Sequence, residues 1–234
     1  MPLHPFLVRS GLYKTLQSLT RSFFSTHKYM RYLGFVAENK GKGLINDYYN
    51  QNAAYPQRFG LHNRLLEDLK DTPIFYYEFG VAGGDMIRHW SSTNTSPNSR
   101  FVGFDSFEGL PEGWESKGKG HFDQKGNFPD IQDDRVRFVK GWFQNSVYAE
   151  LQNCEFHEQC VFHLDADLFS STLYVLFHLH PKLKSGDILI FDEFSSHEHE
   201  YEALEIFKQC INDQWEFEFM GAVNNYRQVA FRLK

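Results

Sequence analysis

Short apolar segments alternate with helical patterns along most of this chain, and this alternation restricts the fold more than any other feature. Helical patterns separate the apolar segments; STLYVLFHLHPKL, for example, ends near Pro181. Strands alternating with helices predict an α/β fold, in which helices cover both faces of an open, mostly parallel sheet. The predicted strands are IFYYEF (74–79), RFVGFD (100–105), RVRFVK (135–140), CVFHLD (160–165) and DILIFD (187–192), followed by WEFEFMG and YRQVAFRL as a C-terminal antiparallel hairpin.

The N-terminal part differs from this pattern. We predict a helical arm or lid over residues 1–57 and the α/β domain over 58–234, because RFGLHNRLLEDLK (58–70) places its leucines on one helical face. The first 37 residues contain no Asp or Glu but several Lys and Arg. This composition is typical of an arm that packs on a second subunit, which would give a homodimer. It also suits an arm that covers the site. An organellar transit peptide is the alternative.

Composition and charge exclude several classes of function. A net charge of −6 argues against a nucleic-acid partner, which needs a basic surface. No apolar run approaches the ~20 residues that cross a bilayer, so we expect no membrane partner. Three cysteines without a CxxC pair favour a reduced, cytoplasmic protein. Cys154, His157 and Cys160 lack a fourth ligand at zinc-finger spacing.

The carboxyl ends of parallel strands are where α/β sheets bind ligands. The first strand runs into EFGVAGG, where Gly80 and Gly83 permit a tight turn close to a bound nucleotide. The spacing is not GxGxxG, so the dinucleotide fingerprint is poorly met. Glu78 is an acid in an otherwise aromatic strand, and burying a carboxylate is costly unless it has a partner, which favours a functional role.

The next two strand ends extend this nucleotide hypothesis. Asp105 follows the glycine turn at the distance where a carboxylate binds a ribose diol, although it could instead cap a turn with Ser106. Trp142 and Phe143 could flank an adenine, with Gln144 or Asn145 at the ring's edge; core packing is the alternative.

Two adjacent strand ends carry four carboxylates. Asp165 and Asp167 follow one strand, and Asp192 and Glu193 follow the other. Such a cluster raises the pKa of its members or holds a cation. Oxygen ligands favour Mg²⁺ or another hard divalent ion. Helix capping by Asp165 or Asp167 is the alternative.

Taken in order, EFGVAGG, FDSFEGLPEG, VRFVKGWFQNS, FHLDADLFSST and PKLKSGDILIFDEF resemble the macrocin O-methyltransferase family over roughly residues 58–220. The resemblance implies a seven-stranded Rossmann-like sheet, S-adenosylmethionine as methyl donor and usually Mg²⁺. It implies Asp165, Asp192 and Glu193 as metal ligands and Asp167 beside them as general base.

The resemblance also implies a donor site. Its residues would be Glu78, Gly80 and Gly83 at the methionine end, Asp105 with Ser106 at the ribose, and Gly141, Trp142, Phe143 and Asn145 at the adenine. Two positions depart from the family: Glu193 stands where Asp is usual, and Phe169 stands where Tyr is usual.

The expected function is therefore transfer of a methyl group from S-adenosylmethionine to a hydroxyl of a small molecule, a sugar or natural product. A catechol-type O-methyltransferase would carry the same acids at the strand ends. A nicotinamide-dependent oxidoreductase would share the glycine turn and Asp105 but would not need the acids. A non-catalytic binding protein on the same fold is a further alternative.

Overall fold

The computed structural model describes residues 12–153 and 158–234. Short 3₁₀ turns lie at Tyr55–Gln57 and His180–Lys182. The helices are α1 (Leu12–Asn39), α2 (Arg58–Leu69), α3 (Asp85–Thr93), α4 (Phe143–Asn153), α5 (Phe169–Leu179) and α6 (Glu200–Cys210). The strands are β1 (Ile45–Asn46), β2 (Ile74–Phe79), β3 (Arg100–Asp105), β4 (Val136–Lys140), β5 (Gln159–Leu164), β6 (Ile188–Phe191), β7 (Phe217–Val223) and β8 (Gln228–Leu233).

The strands form one sheet in the order β1-β7-β8-β6-β5-β2-β3-β4. All neighbours are parallel except β8, which runs antiparallel to both β6 and β7. The predicted α/β fold with a C-terminal antiparallel pair is therefore confirmed. The sheet has eight strands rather than the expected seven, because the two-residue β1 pairs with β7.

Both faces of the sheet are buried, which explains why the central strands are apolar without interruption. Successive side chains of a strand point to opposite faces. Tyr77 and Phe79 of β2 accordingly join a core cluster with residues of α1, α4, α5 and α6. Ile74 and Tyr76 of the same strand join a second cluster with α2 and α3.

The described part of residues 1–57 packs against this sheet. Tyr32 and Val36 of α1 are buried in the first core cluster, and Arg31 pairs with Glu202 and Glu205 of α6 at 3.4 and 2.7 Å. The domain boundary at residues 57 and 58 stays a prediction. None of the described helices combines the length and hydropathy that a membrane span requires. Cys154 and His157 lie outside the described residues, while Cys160 is buried.

Candidate active site

The carboxyl ends of β2, β3, β5 and β6 meet at one edge of the sheet, and a cavity of about 310 Å³ opens there. Of the residues predicted from sequence, all but Glu78 and Asn145 lie on its wall. The lining residues are Tyr55, Arg58, Gly80, Val81, Ala82, Gly83, Asp85, Asp105, Ser106, Gly109, Leu110, Pro111, Lys117, Phe122, Gly141, Trp142, Phe143, Gln144, Asp165, Ala166, Asp167, Ser171, Asp192, Glu193 and Arg227.

The glycine turn after β2 has two glycines with different roles. Gly80 has φ = 98°, and a Cβ there would lie 1.9 Å from the backbone oxygen of Asp165. A side chain at position 80 is therefore incompatible with the contact between this turn and the end of β5. At Gly83, by contrast, no atom of the described residues beyond Gly83 and its two chain neighbours lies within 4 Å of the position that a Cβ would take. Gly83 thus borders open cavity.

Asp105 ties the end of β3 to the glycine turn. Its Oδ2 accepts the backbone N–H groups of Val81 and Ala82, both at 2.8 Å, and its Oδ1 accepts that of Phe107 at 2.7 Å. An ionised carboxylate offers about four lone-pair sites, so about one remains for a ligand hydroxyl. Ser106 joins the local turn, because its Oγ accepts from the Glu108 N–H at 3.1 Å. Asp105 and Ser106 therefore take part in the local turn and also line the cavity.

The end of β4 supplies the wall opposite the acids. Gly141, Trp142 and Phe143 line the cavity, and the Gly141 N–H donates to the Asp105 backbone oxygen at 2.9 Å. Phe143 also packs edge-on against Phe79, with ring centroids 6.1 Å apart. Its ring therefore belongs both to the core and to the cavity, so the two alternatives for this residue are compatible.

Glu78 belongs to a buried chain of polar groups beneath the cavity. The Tyr76 hydroxyl donates to Glu78 Oε2 at 2.8 Å and lies 2.9 Å from His163 Nδ1, while His163 Nε2 lies 3.4 Å from Asp192 Oδ1. Burial alone would lower the pKa of His163, but hydrogen bonding with Asp192 and Glu78 raises it to about 10. His163 is therefore an imidazolium cation. Sequence reasoning missed it because its partners lie on β2 and at the end of β6, far from it in the chain.

Arg58, the first residue of α2, was also missed. Its Nη1 lies 3.4 Å from Asp192 Oδ2 and 3.7 Å from Asp165 Oδ2, so the two strand ends do converge on one positive group. Burial acts to raise the pKa of Asp192, but hydrogen bonding with His163 and the charge of Arg58 bring it below its ordinary value. Burial and the negative charge of Asp192 raise the pKa of Asp165. No pattern in the sequence distinguishes Arg58 from a solvated arginine.

Asp167 and Glu193 face the same cavity. Burial, reinforced by the charge of Glu193, raises the pKa of Asp167 to about 7. Burial likewise raises the pKa of Glu193 to about 7, although Arg227 Nη2 donates to its Oε1 at 2.5 Å. Asp167 adopts φ = 58°, an uncommon conformation that Asp tolerates better than most residues. The charges of Lys117 and Arg227 act to lower both pKa values but do not offset the effect of burial.

The donor set fits a hard cation. Asp165, Asp192 and Glu193 offer carboxylate oxygens at two adjacent strand ends, the ligand type that Mg²⁺ and Ca²⁺ prefer. Burial raises the pKa of Asp165 and of Glu193, and a bound cation would favour the ionised forms of both carboxyl groups.

A second arrangement of potential ligands lies deeper, where ligand atoms of His62, His163 and Asp192 fall within 4.8 Å of one another. The Trp90 indole N–H donates to His62 Nδ1 at 2.9 Å, so a neutral His62 carries its proton on Nε2. Burial lowers the pKa of His62 and keeps it neutral. Without a metal, His62 Nε2 and both ring nitrogens of His163 carry protons, so a metal at this cluster would have to displace protons from both imidazoles.

A long loop over residues 106–135 covers the cavity on the side of the acids. Leu110 and Trp114 of the loop pack with Leu168, and Ser196 Oγ donates to Glu115 Oε1 at 2.9 Å. Lys117 Nζ lies 4.3 Å from the ring centroid of Trp114 and faces the cavity. Sequence reasoning did not identify this wall, because its contacts join segments far apart in the chain.

The sheet, the glycine turn and the acid at the next strand end define a class of Rossmann-like, nucleoside-binding enzymes that includes the S-adenosylmethionine-dependent methyltransferases. Within that class, the sequence model of the macrocin O-methyltransferase (TylF) family matches residues 75–216, more than half of the chain. The chain belongs to the macrocin O-methyltransferase family. The predicted family is confirmed, and it favours a methyltransferase over the oxidoreductase alternative.

Characterised relatives match shorter stretches. The mycinamicin III 3''-O-methyltransferase of Micromonospora griseorubida is 34% identical over 64 residues, 27% of this chain and 24% of that protein. The 8-demethyl-8-(2,3-dimethoxy-alpha-L-rhamnosyl)-tetracenomycin-C 4'-O-methyltransferase of Streptomyces olivaceus is 30% identical over 113 residues, 39% of this chain and 40% of that protein. The matches therefore span less than half of each relative's length.

A solved structure shares the fold over most of its length. The calicheamicin methyltransferase CalS11 superposes with a TM-score of 0.56 and 19% identity, covering 88% of this chain and 91% of that one. This likeness extends the common architecture beyond the region matched in sequence, and at this identity it concerns the fold alone.

Proposed function

We propose that this protein transfers a methyl group from S-adenosylmethionine to a hydroxyl of a small molecule, a sugar or another natural product, with the help of a divalent cation such as Mg²⁺. Family membership supports the donor and the reaction type. The two relatives, both named as O-methyltransferases of natural products, support the acceptor class.

One observation carries the proposal: a single cavity joins the glycine turn and Asp105 on one side to four carboxyl groups on the other. The first side suits a nucleoside with an attached methionine, and the second suits a hydroxyl that must lose its proton. Holding two reactants about 3 Å apart in one cavity is itself a large part of catalysis.

In this proposal each group of residues has a separate role. Asp105 and the Gly80–Gly83 turn hold the donor, whose sulfonium supplies the methyl group, while Trp142 and Phe143 flank its adenine. Asp165, Asp192 and Glu193 would hold the cation, which supplies Lewis acidity that lowers the pKa of the acceptor hydroxyl. Asp167 accepts the hydroxyl proton, for which a pKa of about 7 is well placed.

The test is a methyl-transfer assay over sugars, glycosylated natural products and catechols, with and without Mg²⁺. We expect turnover with a hydroxylated acceptor and a loss of ~10²-fold or more in the Asp165→Ala variant, because the cation and the acceptor lose a shared anchor. Donor affinity, measured by calorimetry, should change little. Asp134→Ala, an exposed acid away from the cavity, is the matched control.

Equal rates before and after treatment with a chelator would remove the cation from this proposal and leave the methyltransferase. Binding of NAD in place of S-adenosylmethionine would overturn the proposal as a whole. Turnover of catechols alone would instead assign the acceptor to the catechol class. The cytoplasmic location and the dimer formed through residues 1–57 stay predictions.

A further inference from the structure

Arg58 occupies a position next to two of the proposed metal ligands. Its side chain is largely buried, and a single nitrogen, Nη1, lies within 4 Å of both Asp165 and Asp192. The guanidinium also lies 4.2 Å from the ring centroid of Tyr55. A positive charge therefore already stands at the carboxylates that the proposed function gives to a cation.

The contacts of Arg58 are loose for a charged pair. Charge-assisted N–H···O bonds are typically 2.7–2.9 Å long, whereas those of Arg58 measure 3.4 and 3.7 Å. In residues 12–153 and 158–234, Arg58 Nε has no hydrogen-bond partner. The arginine thus neutralises charge without the bidentate geometry that would fix it in place.

Arg58 is not the only partner of the Asp192 carboxylate. His163 Nε2 lies 3.4 Å from its Oδ1, and Gln228 Nε2 donates to its Oδ2 at 3.3 Å. Asp165, by contrast, pairs with Arg58 alone among the ion pairs of the described residues. Losing the arginine would therefore leave Asp192 partnered and free the oxygen atoms of Asp165.

We propose that Arg58 is a built-in counter-cation of this site, which holds Asp165 and Asp192 together when no divalent ion is bound and which a divalent ion must displace. This inference rests on the proposed metal site. A divalent ion needs the oxygen lone pairs that face Arg58, and it repels a guanidinium within about 4 Å. The arginine and the ion therefore exclude each other at these oxygens, and Arg58 weakens metal binding.

The test is a calorimetric titration of the purified full chain with Mg²⁺ and Mn²⁺ at pH 7.5, in the absence of any acceptor. Arg58→Met keeps side-chain length and apolar contact with Tyr55 but removes the charge. We expect this variant to bind the ion at least about tenfold more tightly than the wild type. Arg64→Met is the matched control, because Arg64 lies on the same helix and pairs with Glu67 rather than with the site. Its affinity should equal that of the wild type.

Arg58→Lys keeps the positive charge but changes the shape of the side chain. It is also a second variant in case Arg58→Met folds poorly. It should bind the ion within about threefold of the wild type, because a cation remains at the carboxylates. Circular dichroism establishes that each variant is folded before titration. The melting temperature gives a second readout, since added Mg²⁺ should raise it more in Arg58→Met than in the wild type.

Equal or weaker ion binding by Arg58→Met overturns the inference, as does a lysine variant that binds as tightly as the methionine variant. Binding by Arg58→Met but not by the wild type supports it and removes the metal from the proposed function. If no folded variant binds an ion, the inference fails. Methyl transfer, measured separately, decides whether the enzymatic proposal fails with it.

Discussion

Asp167 combines two unusual properties in one residue. Its backbone lies in the left-handed region at φ = 58°, and its carboxyl group has a pKa raised to about 7, first by burial and then by the charge of Glu193. A general base works best when its pKa is near the working pH. Strained backbone is often retained where a side chain has to be aimed, and here the side chain faces the cavity.

At this scale we predict the effect of Asp167→Asn. Asparagine also tolerates φ > 0, so the backbone should persist while the base is lost. Methyl transfer should fall by ~10²–10⁴-fold, with donor affinity unchanged. The wild-type rate should decline as the pH falls through about 7, because the protonated carboxyl cannot accept a proton, and in the variant this decline should be shallower, since only Glu193 still titrates there. A variant with wild-type rate and pH profile would remove Asp167 from the mechanism.

At the scale of elements, the strand ends are coupled through the glycine turn. The turn after β2 packs against the end of β5 at Gly80 and is tied to the end of β3 by Asp105. One short segment thus positions the proposed donor side and the acid side of the cavity together. A change in the turn should therefore affect both.

Two alanine substitutions in this turn should have opposite consequences. Gly80→Ala forces a side chain into the Asp165 carbonyl at positive φ, and we expect a loss of about 3 kcal/mol or more in unfolding free energy. Gly83→Ala meets no such contact and should change stability by less than about 1 kcal/mol. It should nevertheless weaken S-adenosylmethionine binding, because it fills part of the cavity. Urea denaturation and calorimetry measure the two effects; unchanged donor affinity in Gly83→Ala would place the donor elsewhere.

The elements themselves were predictable because they depend on local patterns. The bounds of β2 and β3 agree with IFYYEF and RFVGFD residue for residue, since apolar, aromatic runs flanked by polar residues mark buried strands. The cavity residues at the strand ends followed from the topology. Arg58 and His163 could not be predicted in the same way, because the contact between Arg58 and Asp192 joins residues 134 positions apart and creates no local signal.

The pH dependence of stability is a property of the whole molecule, and His163 should contribute to it above neutrality. Its folded pKa of about 10 exceeds the ordinary value of 6.5. Its contribution is therefore fully present below about pH 6.5 and is lost as the pH rises through about 10. Below 6.5 the buried, neutral His62 acts in the opposite direction, because its pKa is lowered and unfolding then takes up a proton.

We therefore predict that the ion-free protein loses unfolding free energy between pH 7 and pH 9, on the order of 1 kcal/mol per pH unit. In His163→Gln the slope should be flatter, because the amide does not titrate, although the variant should also be less stable at pH 7. His27→Gln, on the exposed side of α1, serves as the control. Urea titrations at several pH values measure the slope, and stability that increases across this range would contradict the ionised state of His163.

The short strand β1 has a consequence for the sheet as a whole. Its chain passes so close to β7 that a side chain at Gly43 or Gly221 would run into the neighbouring backbone. Ile45 and Asn46 thereby shield part of the outer edge of β7, whose unpaired amides and carbonyls could otherwise recruit another chain. A recombinant protein trimmed to start after residue 47 would expose that edge together with the core surface that α1 covers, so it should aggregate even if the strand ends around the cavity keep their arrangement.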